Sequence, residues 1–253
     1  MMTDLLTLDK VSKSFESLLA VNDVSLSVQP GQIAGLIGPN GSGKSTLLNL
    51  ISGVLPLDSG HITFDGHDIT RRSADEIFQR GLVRSFQDPS LFFRMTVLDN
   101  ALLPVKRQAG ESPAHAPLHR RWTPQESSLA ATAGKTLDEL QLGQHYKVRA
   151  SDLSGGQMKL LELGRSLMGE PKLLLLDEPT AGVAPKLAYT IFEEIERLRQ
   201  SLGLTFVIIE HRLEILFDFV DTVFVMHAGS LLAHGTPAEI SANARVREIY
   251  FGD

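Results

Sequence analysis

The nine residues GPNGSGKST, at positions 38 to 46, constrain the fold of this chain more than any other stretch. They follow PGQIAGLIG, an apolar run introduced by a Pro-Gly turn. They precede KSTLLNLISGVL, where Leu47, Leu48, Ile51 and Val54 recur at helical spacing and Gly53 and Pro56 mark the end. A strand, a glycine loop and a helix in that order make a phosphate cradle. Gly38, Pro39, Asn40, Gly41, Ser42 and Gly43 let the backbone wrap a β-phosphate. Lys44 places a cation at the β and γ oxygens, Ser45 offers a hydroxyl to Mg²⁺, and Thr46 completes the loop.

A chain of 253 residues with 43% apolar content has room for one large α/β domain or a domain with a small subdomain. The segments LLTLDKV and VNDVSLSV alternate apolar and polar residues as strands do, and GHITFDGHDIT reads as a hairpin around an Asp-Gly turn. A short helix near 73–80 and the strand GLVRSF follow. Residues 106–128, KRQAGESPAHAPLHRRWTPQESS, show no clear period and read as a loop or mobile excursion between helical segments near 97–105 and 126–141. The second half alternates helix 155–168, strand KLLLLDE, helix 186–201, strand LTFVIIE, a short helix from about 212, strand DTVFVMH and its hairpin partner GSLLAHG. Fully apolar strands alternating with amphipathic helices predict a buried parallel sheet covered on both faces.

Several residues besides the loop carry chemistry. LLLLDE, residues 173–178, ends in two acids where ligands of open α/β sheets bind. Adjacent strand residues point to opposite faces, so Asp177 suits Mg²⁺ and Glu178 suits a general base polarising water. Gln87, after GLVRSF, offers an amide to Mg²⁺ or water, and His211, after LTFVIIE, offers a hydrogen bond to a γ-phosphate. Phe15 either stacks on adenine or fills the core. His61, His115, His119, His145, His227 and His234 have no paired metal-ligand spacing. A second glycine turn, Leu153, Ser154, Gly155, Gly156 and Gln157, opens a helix and forms a second anion site, more than a hundred residues beyond the first.

The ordered set GPNGSGKST, Gln87, LSGGQ, LLLLDEPT and His211 resembles the ATP-binding subunits of ABC transporters over nearly the entire chain. The resemblance implies a single phosphate-loop NTPase domain of ABC type. Residues 1–88 and 169–253 would form an antiparallel β subdomain plus a RecA-like core, and residues 89–168 a helical signature subdomain. It implies ATP and Mg²⁺ as cofactors, with Ser45, Gln87 and Asp177 on the metal and Glu178, His211 and Gln87 in catalysis. GLVRSFQDPSLFFRMTVLDN, the extended segment before LSGGQ, EPTAGVAP and the ending from HGTPAEI to VREIYFGD look most like ATPase subunits of branched-chain amino acid importers. Importers of urea or other small amides use similar subunits. One departure stands out: Ala184 occupies a position where the family usually carries Asp, and the amino acid importers often Asn, so the loop linking the two ATP sites lacks a polar side chain.

That resemblance explains the two anion sites. A second ATPase chain, identical or related, would present Ser154 and Gly156 to the γ-phosphate held by Lys44, making a head-to-tail sandwich around two nucleotides. The N-terminus shows no basic region followed by an apolar stretch, and no window approaches eighteen consecutive apolar residues. The expectation is a peripheral subunit on the cytoplasmic face of the membrane, bound to separate transmembrane permease subunits and served indirectly by a solute-binding protein. Leu91, Phe92 and Phe93 are the candidate permease contact, with core packing as the other reading. The absence of cysteine suits a reducing compartment. A net charge of −6 disfavours nucleic acid as a partner, and with it a soluble ABC-type ATPase acting on ribosomes or DNA. A further alternative, a cassette that pairs on ATP but barely hydrolyses it, is disfavoured by Glu178 and His211.

Overall fold

The alternation of side chains along the strands builds two cores on either side of one sheet. In the computed structural model, which describes residues 3–85, 91–111, 116–117 and 119–251, the chain begins with β1 (Leu6–Phe15), β2 (Leu18–Val28), β3 (Ile33–Ile37), α1 (Lys44–Ile51), β4 (Ser59–Phe64) and β5 (His67–Asp68). It continues through α2 (Ala74–Gln79), β6 (Leu82–Arg84), α3 (Val97–Leu102), α4 (His119–Glu139), α5 (Gly155–Leu167), β7 (Leu173–Asp177) and α6 (Pro185–Leu202). It ends with β8 (Thr205–Ile209), α7 (Leu213–Phe219), β9 (Thr222–His227), β10 (Ser230–Gly235), α8 (Pro237–Ala242) and α9 (Ala244–Phe251). An antiparallel sheet has the order β2-β1-β4-β5, and a larger sheet the order β10-β9-β3-β8-β7-β6. All neighbours in the larger sheet pair in parallel except β10, which returns beside β9 as a hairpin.

Strands β3, β7, β8 and β9 are buried on both faces, which is why they read as unbroken apolar runs. Ile33, Leu174, Phe206 and Val223 point into a core shared with α5, α6 and α7. Their neighbours Ala34, Leu173, Val207 and Phe224 point into a second core with α1 and the antiparallel sheet. Each fully buried Leu, Ile or Phe contributes about 1.5–3 kcal/mol relative to exposure. Register then aligns the strand ends: Ile37 lies beside Val225, and Asp177 beside Ile209. The loops after β3, β7 and β8 therefore emerge at one carboxyl edge.

Within the expected loop at 106–128, the described residues carry more regular structure than the composition predicts. α4 begins at His119, within the expected loop, and accommodates Pro124 in its second turn. Side chains far apart in sequence supply the missing local signal. Gln125 accepts a hydrogen bond from the Ala109 backbone (2.8 Å) and donates to Arg107 O (3.1 Å), while Trp122 Nε1 donates to Ala116 O (3.2 Å). The far end of α4 is anchored by Ala133 and Leu137, both fully buried. Among the described residues, no helix is long and apolar enough to cross a membrane.

Candidate nucleotide site

β3 ends at Ile37, and the chain turns through Gly38–Gly43 before α1 begins at Lys44. Two glycines make this turn possible. Gly43, the residue preceding α1, has φ +101°, and a Cβ there would lie 2.4 Å from Ala20 O. A Cβ on Gly38 would lie 2.3 Å from Met226 O. The loop is thus wedged against β2 and β9, and the first amides of α1, like those of any helix, have no acceptor within the helix. Lys44 Nζ donates to Gly38 O (2.8 Å) and Pro39 O (3.1 Å). Burial lowers the Lys44 pKa, with Glu178 and Asp177 opposing that shift.

A hollow of about 400 Å³ opens over the loop, lined by Asn40–Thr46 together with Phe15, Glu178 and His211. The paired acids take different directions. Asp177 is 5% exposed, and its Oδ2 accepts from Arg84 Nη2 at 3.2 Å. Burial raises the Asp177 pKa above the ordinary carboxylate range, while Arg84 pulls it back. Glu178 has φ +51°, an uncommon backbone for a non-glycine residue, and its amide donates to Ile209 O (2.9 Å). Its Oε1 accepts from His211 Nε2 at 3.0 Å, joining the ends of β7 and β8.

Phe15 ends β1, is 42% exposed, and lies 5.8 Å from Lys13 Nζ. Its position on the rim separates it from the core reading. Gln87 lies outside the described residues. Mg²⁺ favours hard oxygen donors and takes few protein ligands, because phosphates and water complete its shell. The Ser45 hydroxyl and Asp177 carboxylate fit that requirement.

The second glycine turn lies elsewhere on the chain. Leu153 is buried, and Ser154 caps α5: its Oγ accepts from Gln157 N (3.3 Å), while Gln157 Oε1 accepts from Ser154 N (2.9 Å). Gly155 is exposed with open space around it, whereas a Cβ on Gly156 would meet Leu187 Cδ2 at 2.0 Å. None of residues 153–157 lines the hollow over the phosphate loop. Within one chain the two glycine turns are separate.

Leu91 is only 6% exposed and belongs to the core, which removes it from the candidate contact. Phe92 and Phe93 are 55% and 49% exposed. The fully buried Asn100 holds their turn, accepting from Phe92 N (2.8 Å) and donating to Phe92 O (3.1 Å). Ala184 precedes α6 with extended backbone and no side-chain cap. Ala184→Asp is expected to stabilise the chain by about 1 kcal/mol through a new cap. A thermal melt showing no gain would contradict that expectation.

Four residues were not singled out in the sequence. Arg84 reaches Asp177 from β6; Glu210 accepts from Thr180 Oγ1 and from the backbone amides of His211 (2.8 Å) and Arg212 (3.3 Å). Arg212 Nη2 donates to Val183 O (2.7 Å), tying the segment after β8 to the segment after β7. Tyr250 of α9 accepts a hydrogen bond from the Gly38 backbone, and burial raises its pKa to about 12. The visible signals were an arginine inside an apolar strand and an acid closing LTFVIIE.

A glycine loop between a buried parallel strand and a helix, with an acid pair at the carboxyl end of β7, two strands away in the same sheet, defines a phosphate-loop ATPase. Residues 21–181 match the ABC transporter family, and residues 230–253 match the branched-chain amino acid ATP-binding cassette transporter family. The chain belongs to the ABC transporter ATPases. It is similar to a probable branched-chain amino acid transport ATP-binding protein, LivG, of Methanocaldococcus jannaschii: 42% identical over 254 residues, covering 99% of this chain and 98% of that one. The high-affinity branched-chain amino acid transport ATP-binding protein LivG of Escherichia coli is 34% identical, each chain covered to 98%. A crystal structure of the ADP conformation of an ATP-binding cassette of an ABC transporter superposes with a TM-score of 0.86. It is 42% identical and is covered completely by 99% of this chain.

Proposed function

We propose that this chain binds and hydrolyses ATP to power uptake of branched-chain or other hydrophobic amino acids through separate membrane subunits. The carrying observation is the hollow in which the phosphate loop meets Glu178, itself bonded to His211. The similarity to LivG proteins over nearly the whole chain supports the cargo class.

Gly38–Thr46 would hold the phosphates and Phe15 the adenine. Ser45 and Asp177, with Gln87, would hold Mg²⁺, which when bound neutralises charge developing on the phosphates. Glu178 accepts the proton of the attacking water, and His211 fixes the orientation of that carboxylate. Leu153–Gln157 would act on the nucleotide of a second ATPase chain. Opening and closing of the pair would then drive the permease subunits at the cytoplasmic face of the membrane.

Phe92 and Phe93 support a docking role because two large apolar rings are exposed on a turn held from behind by Asn100. ATP-driven uptake of labelled leucine in proteoliposomes, containing this chain and its co-purified membrane subunits, tests the reading. Phe92→Ser or Phe93→Ser is expected to cut uptake at least about tenfold, the scale of a lost aromatic anchor, while basal ATPase activity persists. Normal uptake by folded variants would contradict the docking role, and no uptake of any branched-chain or hydrophobic amino acid would contradict the cargo class.

A further inference from the structure

Arg84 is a charged side chain at the end of β6, beside β7, whose first four residues are buried leucines. Its side chain is 8% exposed, and that of Asp177 is 6% exposed. Among the described residues, the guanidinium bonds β7 and the last turns of α1. Nη2 donates to Asp177 Oδ2 (3.2 Å), and Nη1 donates to Asn49 Oδ1 and to Ser52 Oγ (3.4 Å). Asn49 lies in α1, the helix on which Ser45 sits one turn earlier, and Ser52 follows the end of that helix. β6 is also the strand that leads into Gln87. One planar group therefore bonds both elements that carry the described metal-binding oxygens.

Stability alone is a weak reason for such a pair, because a buried ion pair can often be replaced by apolar residues without loss. Its geometry matters more. A guanidinium fork can meet a carboxylate and a neutral amide in fixed directions, which a lysine ammonium on a flexible stem cannot do. Groups behind a metal's ligands orient those ligands and tune affinity without touching the metal.

We propose that Arg84 is a positioning residue for the divalent metal. It holds Asp177 by Oδ2, leaves Oδ1 for the metal's shell, and fixes α1 so that the Ser45 hydroxyl faces the same point. The inference rests on the assignment of Ser45 and Asp177 as metal ligands, and the test separates the two.

Mn²⁺ binding to the full chain in complex with ADP, followed by electron paramagnetic resonance, would be compared for the wild type, Arg84→Lys, Arg84→Gln and Asp177→Asn. ADP affinity would be measured in parallel with all metal chelated. Both Arg84 variants are expected to weaken Mn²⁺ binding about tenfold, with metal-free ADP affinity unchanged. Arg84→Lys retains the charge and keeps the test available should Arg84→Gln fail to fold. Wild-type Mn²⁺ affinity in Arg84→Lys would overturn the proposal. So would an equal loss of metal-free ADP binding, which would indicate general damage to the site. Unchanged Mn²⁺ binding in Asp177→Asn would instead remove the metal assignment beneath it.

Discussion

Glu178→Gln is expected to slow phosphate release by roughly a hundredfold or more, the usual scale for losing a positioned general base. ATP affinity should remain close to wild type. The geometry explains why the two effects separate. Glu178 sits at φ +51°, and its carboxylate is bonded to His211 at 3.0 Å, on the wall of the hollow rather than within the phosphate loop. Glutamine preserves the shape and can still accept that hydrogen bond, but it cannot take a proton from water. Asp177→Asn should behave differently, because in the proposed function its oxygen binds the metal. A steady-state phosphate-release assay under saturating ATP checks the expectation. Equal rates for wild type and Glu178→Gln would remove Glu178 from the role of base.

Gly155→Asp is expected to abolish ATP-driven pairing while leaving ATP binding to the lone chain intact. Gly155 is exposed at the opening of α5 with open space where a side chain would stand, so the substitution adds charge without disturbing packing. In a composite site that carboxylate would meet a γ-phosphate. Two unit charges about 4 Å apart repel by about 4 kcal/mol at the effective dielectric of a protein surface, a factor of nearly a thousand. Gly156→Asp is a poorer probe, because its Cβ would strike Leu187 on α6 and mix steric damage with the electrostatic effect. Lost ATP binding in the Gly155→Asp monomer would place the turn in the chain's own pocket and refute the trans assignment.

The parts of the fold legible in the sequence are those set by local rules. The phosphate loop reads directly because its glycines, lysine and serine must occur in one order between a strand and a helix. The two cores follow from runs such as LLLLD, in which every residue is buried and alternate residues serve opposite faces. The start of α4 was hidden because its support comes from Gln125 bonding back to Arg107 and Ala109, across a stretch whose composition favours a loop. The same limit applies to the site. Asp177 and Glu178 announce themselves at a strand end, but Arg84 reaches Asp177 across ninety-three positions, and Tyr250 reaches Gly38 from the last helix. Pairings of that kind depend on strand order, which no local spacing encodes. Leu91 shows the converse case. Three adjacent apolar residues read as one patch, yet the turn held by Asn100 sends Leu91 inward and the two phenylalanines outward.

In the proposed pair, one chain supplies the phosphate loop and base of a site that a second chain's glycine turn completes. Sedimentation of purified Glu178→Gln in ATP and in ADP, alone and combined with Gly155→Asp, tests it most directly. The single variant should pair in ATP and dissociate in ADP, and the double variant should bind ATP yet remain monomeric. A double variant that still pairs in ATP would contradict the claim.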